Sequence, residues 1–76
     1  MDNVTVKVAE YVQEKGISIS TIAEKINISY GALYLSLRKN PTRKLRGDEL
    51  LAICSFLGVD PRSFSSVPRG LDDKAS

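Results

Sequence analysis

Histidine is absent from this 76-residue chain, and cysteine occurs once, at Cys54. Without imidazole there is no histidine general base and no histidine-ligated metal. A lone thiol builds neither a disulfide nor a zinc cage. No glycine-rich phosphate loop and no paired-carboxylate cleft can be picked out, so the chain reads as a non-enzyme with no cofactor and no metal. No apolar run approaches the roughly 20 residues of a membrane span. Asp2 and Asn3 stand where a signal peptide would carry basic residues, and no long apolar segment follows. A cytoplasmic protein is expected, with Cys54 reduced and serving as a small buried hydrophobe.

The length allows one domain, which by size alone excludes a multidomain enzyme, a TIM barrel and a doubly wound sheet. A chain this short has a small core, so each buried side chain counts. Net charge is only +2, but it is unevenly spread. Residues 1–37 carry three basic and four acidic side chains, and residues 47–76 carry three and five. Between them Arg38, Lys39, Arg43, Lys44 and Arg46 crowd into nine residues with no acid. Such a patch steers polyanions.

The punctuation predicts an all-α chain of five helices. Asp2 or Asn3 can cap the first, and Gly16 can end it; Val4, Val8, Tyr11 and Val12 recur on one face. Ser18 caps a second helix from Ile19 to about Ile26, with Ile22, Ala23 and Ile26 apolar. Asn27 tolerates the left-handed turn that follows. Ser29 caps a third helix from Tyr30 to about Lys39, burying Leu33 and Leu37. Asn40-Pro41 stops it. Residues 40–46 read as a loop. Leu45 sits where it can staple onto Leu50, opening a fourth helix that runs to Leu57 and ends at Gly58. It presents Leu50, Ile53, Cys54 and Leu57 inward, with Asp48 and Glu49 in its first turn. Asp60-Pro61 starts a short fifth helix through about Phe64. The domain is expected over residues 1–65, with a flexible tail over 66–76.

Ala23 is small where two helices crossing after a short turn must touch, and Ile26, Ile28 and Leu33 lock them together. With these features in place, SISTIAEKINISYGALYLSLRK (18–39) followed by DELLAICSFLGVDPRSF (48–64) resembles the helix-turn-helix family of phage repressors and Cro proteins, the xenobiotic-response-element type. The resemblance spans about residues 4–65. It implies a five-helix, lambda-repressor-like bundle whose second and third helices form the motif. Three positions depart from the family pattern. Ile19 stands where Gln often touches a phosphate, Asn27 where Gly often makes the turn, and Arg46 where Ser or Thr often caps the fourth helix.

The resemblance implies that the third helix enters the major groove of double-stranded DNA. Base contacts then fall to Ser29, Tyr30, Gly31, Tyr34, Leu35 and Arg38. The two tyrosines can hydrogen-bond and pack on thymine methyls, Leu35 can touch only apolar groups, and Arg38 can read guanine or hold a phosphate. Phosphate contacts fall to the start of the second helix, through Ser18, Ile19 and Ser20, and to Arg38, Lys39, Arg43, Lys44 and Arg46. Two protomers would neutralise about six to ten phosphates.

The implied role is a Cro-like transcriptional repressor that occludes a promoter, acting in a bacterial or phage-infected cytoplasm. One motif reads only a few base pairs, so a palindromic operator and a weak homodimer are expected. Phe56, Val59 and Phe64 are the candidate dimer surface, unless Val59 and Phe64 simply cap the core. With no room for a sensing domain after the last helix, no small-molecule ligand is expected. Two other readings compete. One is a protein-interaction module using Tyr30 and Tyr34 as an aromatic surface. The other is an antitoxin-like regulator acting with a protein partner.

Overall fold

The computed structural model describes residues 3–64. The expected tail over 66–76 and the candidate cap Asp2 lie outside the described residues. Within them the chain is all-helical, with four α-helices and no strand: α1 (Asn3–Lys15), α2 (Ile19–Ile26), α3 (Tyr30–Leu37) and α4 (Gly47–Leu57). The expected fifth helix is a single 3-10 turn, Pro61–Ser63. Asp60 caps it by accepting the Arg62 N–H at 2.9 Å. The segment closes through short-step bonds, Ser63 N–H to the Asp60 carbonyl at 2.9 Å and Phe64 N–H to the Pro61 carbonyl at 3.1 Å. A stretch this brief gains more from tight i→i+3 bonds than from a full α turn.

Local chemistry sets most of the boundaries. Ser18 is extended and accepts the Thr21 N–H at 3.2 Å, capping α2. Asn27 ends that helix in the left-handed region at φ 61°, sending its N–H back to Ala23. Gly58 does the same for α4 at φ 72°. Both are conformations in which a β-carbon is ordinarily penalised and glycine or asparagine is favoured.

The third helix is shorter than its sequence suggests. It stops at Leu37, and Arg38 is extended. In a longer helix the Leu35 carbonyl would accept from residue 39. Here it accepts from Thr42 N–H at 2.8 Å and Arg43 N–H at 3.2 Å, because the loop folds back along the helix. The Leu37 carbonyl accepts from Gln13 Nε2 of α1 at 3.0 Å. Tertiary partners therefore satisfy the orphan carbonyls that a longer helix would have paired.

The core draws on every element. Val8 and Val12 of α1, Ile22 and Ala23 of α2, Leu33 and Leu37 of α3, and Ile53 and Cys54 of α4 are buried together with Leu45 and Phe64. Burial pushes the Cys54 thiol up, with Asp60 adding to it, so it stays a protonated, inert apolar group. Tyr11 meets Phe64 edge to face, ring centroids 5.6 Å apart. Phe64 is thus core. It was a candidate for the dimer surface, but the turn at Asp60-Pro61 points the ring back under α1, where the Tyr11 ring and apolar burial hold it. Three buried polar residues escape the apolar pattern: Thr5, Ser36 and Glu49. Thr5 lies on the inner face of α1, and its Oγ1 accepts the Leu45 N–H at 3.0 Å, fixing the end of the basic loop to the first helix. Ser36 is fully buried on α3.

Candidate nucleic-acid interface

The third helix carries apolar side chains all round. Leu33 and Leu37 face the core, while Tyr30, Tyr34 and Leu35 are 51%, 40% and 40% exposed on the outer side. A surface helix ordinarily turns a polar face to water. Here the outer face is aromatic and aliphatic, with exposed Ser29 and Gly31 beside it. Tyr30 and Tyr34 stack one turn apart, ring centroids 5.8 Å and planes 29° from parallel. Arg38, just past the helix, sets its guanidinium 5.7 Å from the Tyr34 centroid. The three side chains form a ladder, tyrosine on tyrosine on cation, with each rung limiting the freedom of the next.

The basic loop begins at the end of this ladder and doubles back on α3 through the Leu35 carbonyl. Of its five cations, Lys39, Lys44 and Arg46 are exposed. Arg46 lies 3.4 Å from Asp48 in a fully solvated contact of small value. Arg38 is half-buried against Tyr34. Arg43 is half-buried and is engaged within the fold. Its Nη1 donates to Ser36 Oγ at 3.0 Å and to Glu49 Oε1 at 3.1 Å, and its Nη2 donates to Glu49 Oε2 at 2.8 Å. A buried hydroxyl and a buried carboxylate need these donors, so they tie the half-exposed guanidinium to α3 and α4.

Glu49 has a second duty. Its Oε1 accepts the Arg46 N–H at 2.9 Å, which is half of a capping box. An arginine side chain has no acceptor to complete the reciprocal half, so the start of α4 rests on Glu49 alone. The hydrogen bond from Arg43 is the main cause holding the Glu49 carboxyl below its ordinary range; burial opposes it, and the Arg46 N–H and the two positive charges assist. The net result joins α3, the basic loop and α4 at one charged cluster. Arg43 orients the loop that displays Lys44 and Arg46.

At the start of α2, Ser18, Ser20 and half-buried Ile19 flank the helix N-terminus. The Ser18 and Ser20 hydroxyls lie 3.2 Å apart. Ile19 packs against the core, leaving backbone amides and the serines as the polar groups there. On α4 Phe56 is exposed and Val59 beyond it is half-buried. Leu51, also exposed, lies about 140° around the helix from Phe56 at 100° per residue, so the two do not form one patch.

Sequence reasoning missed the Arg43–Ser36–Glu49 cluster and the Thr5 anchor. Spacing held a signal for each. Ser36 falls at i+3 from Leu33, and Thr5 at i−3 from Val8, so both sit on inward stripes where a hydroxyl needs a partner.

With this geometry in place, the comparison with known families is direct. Residues 7–63 match the model of the Cro/C1-type HTH DNA-binding domain, and the chain belongs to that family. It is a DNA-binding domain of the kind found in transcriptional regulators. No curated protein and no solved structure matches the chain. Among the described residues no helix is long and apolar enough to cross a membrane.

Proposed function

We propose that the protein is a sequence-specific regulator of transcription that binds double-stranded DNA with α3 in the major groove and represses by occluding a promoter. The observation that carries this reading is the outer face of α3. It is apolar and aromatic where solvent would favour polar groups, and a loop of exposed cations is folded against its end. That combination fits a groove floor of base edges flanked by phosphates. Ser29, Tyr30, Gly31, Tyr34 and Leu35 meet bases. Arg38 serves the base–phosphate boundary. Lys39, Lys44 and Arg46 hold the backbone, together with the α2 N-terminus at Ser18, Ile19 and Ser20. Arg43 acts by holding the loop in shape.

Two copies on a palindrome, with half-sites about 34–36 Å apart, supply the specificity that one motif lacks. Phe56, with the edge of Val59, is the surface we assign to their contact. A patch this small gives a weak dimer that forms chiefly on DNA. Selection of bound duplexes from a random pool tests the reading. An enriched palindromic sequence supports it, and recovery of an unenriched pool contradicts it.

A further inference from the structure

The reading helix has an unusual inventory. Its eight residues, YGALYLSL, include no Asn, Gln, Arg, Lys, Asp or Glu. No side chain on it can make the paired hydrogen bonds by which proteins distinguish guanine or adenine from other bases. Its outer polar groups are two phenols and the Ser29 hydroxyl. The remaining one, Ser36, is buried and bonded to Arg43. A hydroxyl both donates and accepts, so it contacts most base edges without choosing between them. Within the helix itself, ahead of Arg38 at its end, choice then rests on apolar contact. The apolar feature of the major groove is the methyl group at C5 of a pyrimidine.

Gly31 gives this helix a place for such a methyl. Its φ is not positive, so no backbone conformation calls for glycine. A β-carbon built there would meet only Ser29 Oγ, at 3.9 Å. Nothing inside the chain therefore requires the missing side chain, although glycine weakens a helix interior. Tyr34 and Leu35 stand three and four residues on, and helical side chains lean toward the N-terminus, over the Gly31 turn. Neither side chain comes within 4 Å of a β-carbon built at Gly31, so the glycine is the floor of an open notch between an aromatic and an aliphatic neighbour. The Tyr34 ring is held from both sides, by the Tyr30 ring and the Arg38 guanidinium.

We infer that the Gly31–Tyr34–Leu35 notch seats the C5-methyl of a pyrimidine in the major groove, so that the protein selects thymine or 5-methylcytosine over their unmethylated counterparts. This rests on the DNA-binding reading above and deepens it. The test uses the full chain and the duplex enriched from the random pool, with thymines replaced singly by deoxyuridine. The exchange removes one methyl and leaves every hydrogen-bonding group in place. Burying one methyl is worth about 0.8 kcal/mol, or roughly fourfold in affinity. We expect one position per half-site to show that loss on deoxyuridine substitution. A cytosine placed there should bind more tightly once methylated at C5. The Gly31→Ala variant fills the notch and should bind thymine and deoxyuridine duplexes within about twofold of each other. Equal affinity of the parent for thymine and deoxyuridine at every position overturns the inference while leaving sequence-specific binding intact. Failure to bind any enriched duplex overturns both.

Discussion

Arg43 and Glu49 are locked side by side, with Nη1 donating to Oε1 at 3.1 Å and Nη2 to Oε2 at 2.8 Å. A two-pronged contact of this kind is geometrically specific as well as strong. It spans the loop between α3 and α4, and Ser36 ties it to α3 from beneath. One cation of the basic patch thus also serves as a clasp between α3 and α4.

Breaking the clasp should destabilise the fold. Glu49→Gln keeps the size but removes the charge, leaving Arg43 poorly paired beside the buried Ser36. We expect a loss of about 1–3 kcal/mol. Urea denaturation of the parent and the variant at pH 7 measures it.

The same pair sets an acid limit. The Glu49 carboxyl is held below its ordinary range chiefly by the Arg43 hydrogen bond. Its contribution is therefore fully present above the ordinary glutamate value of about 4.3. It is lost as pH falls below that value and through the depressed one. The urea midpoint of the parent should fall across this window. In Glu49→Gln that part of the fall should be missing.

Much of this was legible in the sequence, and the split has a physical cause. Ser18, Asn27, Gly58 and Asp60 act on backbone within a few residues, so their identity alone places the helix ends. The alternation of Leu33 and Leu37 with Tyr30 and Tyr34 likewise separates the core face of α3 from its outer face. What escaped was set by contacts distant in the chain. Gln13 reaches Leu37, Thr5 reaches Leu45, and Phe64 turns back to Tyr11. The early end of α3 follows from the loop capturing the Leu35 carbonyl, which no local residue announces. Arg43 and Lys44 are adjacent cations with opposite fates, and only the buried Ser36 and Glu49 separate them.

The two neighbours should therefore respond differently to removal. Lys44→Ala should leave stability unchanged, weaken all DNA sequences alike and flatten the log–log salt slope by about one unit per lost contact. Arg43→Ala should lower stability first. With Arg43 set aside, two protomers neutralising about six to eight phosphates give a parental slope of roughly −5 to −7. Binding titrations across salt concentrations check the slopes, and urea curves check the stabilities.

Tyr34 projects outward between Tyr30 and Arg38, away from the Leu33–Leu37 seam. Tyr34→Ala should cost about 1–3 kcal/mol on the preferred duplex and much less on random DNA. Its urea midpoint should stay close to that of the parent. Parallel titrations on the two DNAs read the difference.

Phe56→Glu addresses assembly. On a full palindrome it should weaken binding, and on an isolated half-site it should bind like the parent. Equal binding of parent and variant to both duplexes would remove Phe56 from the contact between copies.

The central claim is that the outer face of α3 reads DNA sequence. Its most direct test is one titration of parent and Tyr34→Ala against the enriched duplex and a scrambled duplex of the same composition at physiological salt. The parent should prefer the enriched duplex by about 10³-fold or more, and Tyr34→Ala should lose at least about fivefold of that preference while binding the scrambled duplex nearly as the parent does. Equal affinity of the parent for the two duplexes, or an unchanged preference in Tyr34→Ala, would contradict the account.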